Sequence, residues 1–326
     1  MRVPFSELHA VLHDTLRRAG MEEARADRCA RLFAEASRDG VASHGLNRFP
    51  RFLRAIGRGI VDVDARAGRV GGNGALERWD GHRGPGNLNA SDAMARASVL
   101  GRESGIGCVA LANTNHWMRG GAYGWQAADA GLIGICWTNT MPNLPPWGAE
   151  DPRVGNNPLV IAVPRRDGHV VLDMAMSQFS MGALEAHRAR GDALPVVGGY
   201  DERGELSRDP AAIEASRRLL PIGFWKGSGL ALALDLVAAI LSRGQATHEI
   251  PADPELESGL SQVFIAIDPG GADAGLADRV IAHLQGGAGD ARYPGERTLE
   301  TRNRNMREGV PVDPAIWRDV QARAAG

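Results

Sequence analysis

Apolar positions recur every three to four residues through the first sixty positions of the chain, and the period then changes. Phe5, Leu8, Leu12 and Leu16 fall on one face of a first predicted helix, and Cys29, Leu32, Phe33 and Ala36 on one face of a second. Gly20 and Gly40 stand where these helices should end. A third helix is expected after Ser43, a good N-cap residue, with Leu46, Phe49, Phe52, Leu53 and Ile56 on its apolar stripe. From about residue 70, β-rich runs take over, at 75–79, 106–111, 132–137, 159–163, 170–173 and 263–267. Stretches of helical period lie between them at 89–103, 122–130, 181–189 and 229–243. Helix returns at 298–308 and 314–325, the last with Asp313 as N-cap and Pro314 at the first helical position.

This alternation predicts an α+β (mixed α/β) protein with a mixed sheet. Helical ends flanking a β-containing middle suggest that residues 1–70 and 297–326 pack together as one helical domain, leaving 71–296 as an α+β domain. A doubly wound nucleotide-binding fold would carry G-x-G-x-x-G after its first strand. Here Gly71, Gly72 and Gly74 precede a strand, and Gly227 and Gly229 lack the third glycine. Any dinucleotide site therefore belongs to a different fold.

Composition narrows the partners. A formal net charge of -2 over 326 residues offers no basic field for nucleic acid or an anionic membrane. The longest apolar stretch, 230–241, is short for a membrane span and contains Asp235. Cys29, Cys108 and Cys136 are odd in number and without metal-ligand spacing, which points to buried thiols in a reducing compartment. No apolar leader-like run opens the chain, so a soluble cytoplasmic protein is expected. Among 37 lysines and arginines only Lys226 is a lysine, and it sits in Gly223-Phe224-Trp225-Lys226-Gly227-Ser228-Gly229 at the start of an apolar helix. A compact ammonium beside glycines that admit close backbone approach suits an anion or cofactor site.

Two clusters could carry chemistry. Ser43-His44-Gly45-Leu46-Asn47-Arg48 places a histidine and an arginine four residues apart at the predicted positive end of a helix, which would lower the histidine pKa and attract an anion. Asn115-His116-Trp117-Met118-Arg119 follows a predicted strand, where α/β proteins place ligands, and supplies amide, imidazole and guanidinium groups. Loops at 137–140, 145–148 and 155–158 add amides, hydroxyls and tryptophans. Metal binding by His44, His82 and His116 is the rival use, but there is no His-x-x-x-His pair and no cysteine pair. No Gly-x-Ser-x-Gly elbow supports a serine hydrolase.

Taken in order, Ser43-His44-Gly45 with Arg48, the His116 loop, Gly155 to Pro158, Leu172-Asp173-Met174-Ala175-Met176-Ser177, Lys226-Gly227-Ser228-Gly229-Leu230 and Pro294-Gly295-Glu296 resemble segments of the malate/L-lactate dehydrogenase family, over nearly the whole chain. Asn156 departs from the pattern, since the family more often has threonine beside the asparagine. The resemblance implies the non-Rossmann NAD(P)-binding fold of the L-sulfolactate dehydrogenase type, a homodimer, and reduction of a small 2-oxo acid by NADH, or by NADPH. It implies cofactor contacts from Leu172, Asp173, Met174, Ala175, Met176, Ser177 and Gln178, from Trp225 and Lys226, and from Gly295, Glu296 and Arg297. The acid/base matches His44, and in some relatives the residue matching His116 has that role. Ser43, Arg48, Arg119 and Asn139 are then the expected substrate contacts, with Arg48 ahead of Arg119 for a carboxylate. Segments 43–52, 115–121 and 135–139 are most similar to members that reduce a 2,3-diketo sugar acid at C2. Dehydrogenases of malate, lactate, sulfolactate or ureidoglycolate would keep the same machinery, and a sugar-acid binding protein or metal-dependent lyase is the reading from a different class.

Overall fold

The computed structural model describes residues 1–271, 275–287 and 289–325. It opens with α1 (Phe5–Arg18), α2 (Glu23–Arg38) and α3 (Phe49–Gly57). Leu8, Leu12, Leu16, Cys29, Phe33 and Phe49 are buried, as their spacing requires. The third helix departs from expectation. Residues 42–48 form two short 3₁₀ turns, Ala42–His44 and Leu46–Arg48, and the α-helix begins only at Phe49. The cause lies at Gly45, where a Cβ would stand 2.2 Å from Ser37 Oγ and 2.7 Å from the Ser37 backbone nitrogen. Ser37 Oγ also accepts the Leu46 N–H at 2.8 Å. The chain is thus pinned to the end of α2 and cannot continue as one helix, so Ser43 caps nothing and His44 does not stand at a helix N-terminus.

A seven-stranded sheet forms the centre: β1 (Gly68–Asn73), β2 (Leu76–Asp80), β3 (Ile106–Thr114), β4 (Ile133–Thr138), β5 (Leu159–Val163), β6 (Val170–Met174) and β7 (Leu260–Ile267). Its order is β1-β2-β3-β7-β4-β5-β6. Only β2 and β3 run parallel, joined by the crossover helix α4 (Gly86–Ser104), and the other neighbours are antiparallel. β1 escapes sequence reading because Gly-Arg-Val-Gly-Gly-Asn has little β propensity; it is an edge strand paired with β2 alone. α4 and α5 (Gly121–Asp129) cover one face through Ala90, Ala93, Ala97 and Ala127, residues small enough for close packing.

Beyond β6 come α6 (Met181–Arg190), α7 (Pro210–Ser216) and α8 (Trp225–Ser242). α8 is long and apolar enough to cross a membrane by length and composition. It instead lays Ala231, Leu234 and Ala238 against the other face of the sheet, in one cluster with Ala110 and Val263. Its buried Asp235 accepts hydrogen bonds from Asn139 Nδ2 at 2.9 Å and the Thr247 N–H at 2.9 Å. The opposite side of α8 leaves Leu232, Leu236, Val237 and Ile240 exposed, Ile240 by 71%. The chain closes with α9 (Leu276–Gln285), α10 (Glu296–Glu308) and α11 (Pro314–Ala325). Arg2–Val3 pairs antiparallel with Val310–Pro311, and Val310, Trp317 and Val320 share one core with α1 and α2. That core also takes Leu88 and Met118 from the middle of the chain. α7 and α9 were not legible in the sequence because each buries so little: Pro210 and Ile213 in one, Ile281 in the other.

Candidate active site

The His116 loop leaves the end of β3 through a left-handed Asn113, φ +52°, and passes a second left-handed residue at Met118, φ +63°. Asn115 holds it in place, its Nδ2 donating to the carbonyl oxygens of Arg83 at 2.7 Å and Gly84 at 3.0 Å. The 3₁₀ turn carrying His44 faces this loop. The two imidazoles stack, with ring centroids 5.8 Å apart and an interplanar angle of 25°.

The histidines differ in what holds their Nδ1 atoms. His116 Nδ1 accepts the Met118 backbone N–H at 3.0 Å, which assigns the ring proton to Nε2. Adding a second proton would set N–H against N–H. His44 Nδ1 instead lies 3.0 Å from Ser43 Oγ, a hydroxyl that can turn to donate to a neutral ring or accept from a charged one. Burial, then the charges of Arg48 and Arg119, lower the His44 pKa to about 4. Burial, Arg48 and His44 hold His116 well below its ordinary value. The depression of His44 was expected from a helix terminus; the cause is burial beside arginines.

Two chambers meet at this pair. The inner one, of 410 Å³, runs from Ser43, His44 and His116 past Trp125 to Leu172, Asp173, Ala175 and Gly295. The outer one, of 460 Å³, runs from the same histidines to Arg48, Arg51, Glu185, Arg188 and Arg217. Thr140, Asn156 and Ser180 border both. Asp173 shows one side to the inner chamber while packing around the rest pushes its carboxyl up, against the pull of Arg119 and of the Gly121 N–H at 2.8 Å.

Arg48 and Arg119, the two arginines expected near a carboxylate, have different surroundings. Arg48 lines the outer chamber, and among the described residues its ion-pair partner is Glu257, at 3.9 Å. Burial first, then Arg51, lowers its pKa to about 10. Arg119 lines the inner chamber but its Nη1 is bound to Asp39, a buried carboxylate also held by Arg38 and Arg302. Asn139 is not brought to either chamber. It is fully buried, with Nδ2 given to Asp235 and to the Gln245 carbonyl oxygen and Oδ1 taken by the Ser261 N–H. Its neighbour Thr140 is the one that reaches the site, linked to Asn156 Oδ1 at 3.1 Å.

Of the expected cofactor contacts, Leu172, Asp173, Ala175 and Gly295 line the inner chamber. Met174, Glu296 and Arg297 do not form its wall, and Met176 is fully buried in the core. Ser177 is buried, and the Gln178 N–H is bonded to the Leu220 carbonyl oxygen. Trp225 and Lys226 are exposed at the start of α8, outside both chambers. Gly227 has a packing reason instead of a ligand one, since a Cβ there would stand 2.5 Å from the Ile222 carbonyl oxygen. His82 is exposed beside Asp80, and no group of three or more potential metal ligands occurs among the described residues. Trp125 and Glu185 line the chambers and were missed in the sequence, as were Asp39 and Arg302 behind the inner wall; single polar or aromatic residues in or beside helix-like stretches carry no local signature.

Comparison with known proteins decides the family. The family model for malate/L-lactate dehydrogenase matches residues 3–321. The chain belongs to the malate/L-lactate dehydrogenase family. Among curated relatives it is 44% identical to 2,3-diketo-L-gulonate reductase of Salmonella newport (strain SL254), over 99% of this chain and 100% of the relative. Among solved structures, a putative malate/lactate dehydrogenase from E. coli has TM-score 0.93 at 28% identity, covering 100% of this chain and 95% of that one. Sulfolactate dehydrogenase from Methanocaldococcus jannaschii has TM-score 0.91 at 26% identity, covering 100% and 97%. As a member of this dehydrogenase family the chain is an oxidoreductase that acts with a nicotinamide cofactor on a small molecule, and the expected non-Rossmann mixed-sheet fold is the one observed.

Proposed function

We propose that this chain reduces 2,3-diketo-L-gulonate at C2 to 3-keto-L-gulonate, with NADH as the first donor to test and NADPH as the second. The observation that carries the reading is the set of groups where the chambers meet: a histidine able to change charge, a second fixed as a hydrogen-bond donor, and beside them the lightly paired Arg48. The residues around the inner chamber fit a nicotinamide dinucleotide. α10 starts there without a side-chain cap; its Glu296 N–H goes to the Tyr293 carbonyl oxygen, the next two, of Arg297 and Thr298, are offered to an anion, and Trp125 supplies an aromatic wall. When bound, the reduced nicotinamide supplies the hydride that reaches C2. His116 Nε2–H donates a hydrogen bond to the C2 oxygen, and His44 gives it the Nε2 proton that completes the alcohol, its Nδ1–H remaining on the Ser43 hydroxyl as the ring becomes neutral. Arg48 holds the substrate carboxylate, whose charge raises the His44 pKa in the complex.

The direct test follows oxidation of NADH and of NADPH with 2,3-diketo-L-gulonate, pyruvate and oxaloacetate. Preference for the diketo acid supports the reading; preference for a smaller acid moves the substrate within the family. Arg48→Met is expected to raise KM about 10- to 100-fold, the loss of a charged hydrogen-bonded contact, with kcat changed far less and Arg48→Lys restoring part of it. An unchanged KM would remove Arg48 from the carboxylate site.

The same proposal includes a homodimer. The exposed stripe of Leu232, Leu236 and Ile240 on α8 recurs every four residues and is continued by Trp225, Phe224 and Trp147, a patch that a second copy would cover. Ile240→Asp should shift the protein from dimer to monomer by light scattering, and an unaltered mass would exclude this face. Three cysteines without disulfides fit a reducing cytoplasmic setting.

A further inference from the structure

The proposed reaction at C2 uses only one end of the outer chamber, and the other end has chemistry of its own. α6 enters the site at Gly182, which packs so closely that a Cβ would stand 2.7 Å from Ser43 Cβ, beside His44. Gly182, Glu185 and Arg188 follow at intervals of three along α6 and all line the chamber. Three residues of helix rise about 4.5 Å, so Glu185 stands one turn beyond the histidines.

The charges in this chamber are not equivalent. Glu214 is paired with Arg188 through Nε, and Glu257 accepts the Met141 N–H at 3.3 Å and faces Arg48. The side chains of Glu185 and Arg217 make no hydrogen bond or ion pair with any described residue, and of the two it is Glu185 whose charge is felt at Arg48. A 2-oxo acid carries its carboxylate next to C2, so a substrate held by Arg48 and the histidines must direct its remaining carbons along the chamber toward Glu185.

We propose that Glu185 is a specificity-determining residue that accepts hydrogen bonds from the hydroxyl groups of an uncharged, hydroxylated tail and repels 2-oxo acids that carry a second anion. The proposal deepens the reading of this site as a sugar-acid reductase and rests on it. An ionised carboxylate is an acceptor only, which matches several hydroxyl donors. Against the second carboxylate of oxaloacetate the same group is a repulsive element, and discrimination of this kind needs one.

The test compares kcat/KM of the wild-type protein, Glu185→Gln and Glu185→Ala on 2,3-diketo-L-gulonate, oxaloacetate and pyruvate. Pyruvate, with only a methyl group beyond C2, is the internal control for folding and for the histidines. For Glu185→Ala, a fall of about 10- to 100-fold on the diketo acid, carried mainly by KM, is expected, with oxaloacetate rising and pyruvate, which meets Glu185 only through the field at Arg48, changing far less than either. Glu185→Gln should fall less on the diketo acid, because an amide oxygen still accepts, and should rise on oxaloacetate as the alanine variant does. Parallel loss on all three acids would make Glu185 a structural residue and overturn the proposal, as would no change on any. A wild-type protein inactive on the diketo acid but active on pyruvate would instead overturn the sugar-acid reading, and with it the tail assigned to Glu185.

Discussion

His44→Ala is expected to lower kcat about 10²- to 10⁴-fold, the usual contribution of a positioned proton donor, while NADH still binds. The choice of His44 over His116 rests on their Nδ1 partners. A backbone N–H cannot reverse its role, so His116 keeps its single proton on Nε2, whereas the Ser43 hydroxyl can follow a change of charge on His44. His116→Ala should therefore cost less in kcat and more in KM. The pH profile carries the same distinction. In the free protein the His44 pKa is about 4, because burial and two arginines disfavour the cation, so the ring is almost wholly neutral at pH 7. A substrate carboxylate beside it works in the opposite direction. The pKa read from kcat for reduction should then lie above the one read from kcat/KM, and both limbs should fall as pH rises. His44→Ala should abolish this dependence. A variant that keeps wild-type kcat, measured by NADH oxidation under saturating substrate, would remove His44 from the mechanism.

What could be read before the fold was known divides along physical lines. Helix faces with strong period, such as Leu8, Leu12 and Leu16, were legible because burial of one face is what makes those helices form. β1 was not, since an edge strand rich in glycine has its conformation imposed by pairing with β2. His44 was found for a reason that failed. The pattern Ser-His-Gly before an apolar run looks like a helix start, but Ser37, nine residues before Leu46, decides the local geometry by a contact that no local pattern displays. The same limit explains Asn139 and Thr140. Both follow β4, and only the three-dimensional packing of Asp235 and Ser261 shows that the first is consumed in the interior while the second borders the chambers. Lys226 stood out by composition, yet its single occurrence does not place it in either chamber.

The largest effect on stability is expected at Asp39, which touches neither chamber. Its side chain is only 1% exposed and receives Arg302 Nη2 at 2.7 Å, Arg302 Nε at 2.9 Å, Arg38 Nε at 2.7 Å and Arg119 Nη1. Burial alone would push this carboxyl up; the hydrogen bonds from Arg302 and Arg38 and the charge of Arg119 outweigh it and bring the pKa down to about 2. One carboxylate thus joins the end of α2, the His116 loop and α10, and Arg302 lies over the Trp125 ring at 4.3 Å on the wall of the inner chamber. Asp39→Ala leaves a buried Arg119 without its counter-ion, and removing one partner of a buried pair costs about 3–5 kcal/mol. Urea denaturation should show that loss for Asp39→Ala, a smaller one for Asp39→Asn, and little change for His44→Ala. The sign with pH follows from the depressed carboxyl. Its stabilisation is complete above the ordinary carboxylate value of 3.8 and is lost as pH falls toward 2, whereas His44 already weakens the fold between its ordinary 6.5 and 4, because only the unfolded chain readily takes up that proton. Asp39→Ala should therefore flatten the stability profile below pH 4 and leave the slope between 6.5 and 4 in place; unchanged stability at neutral pH would mean that the three arginines are already satisfied without it.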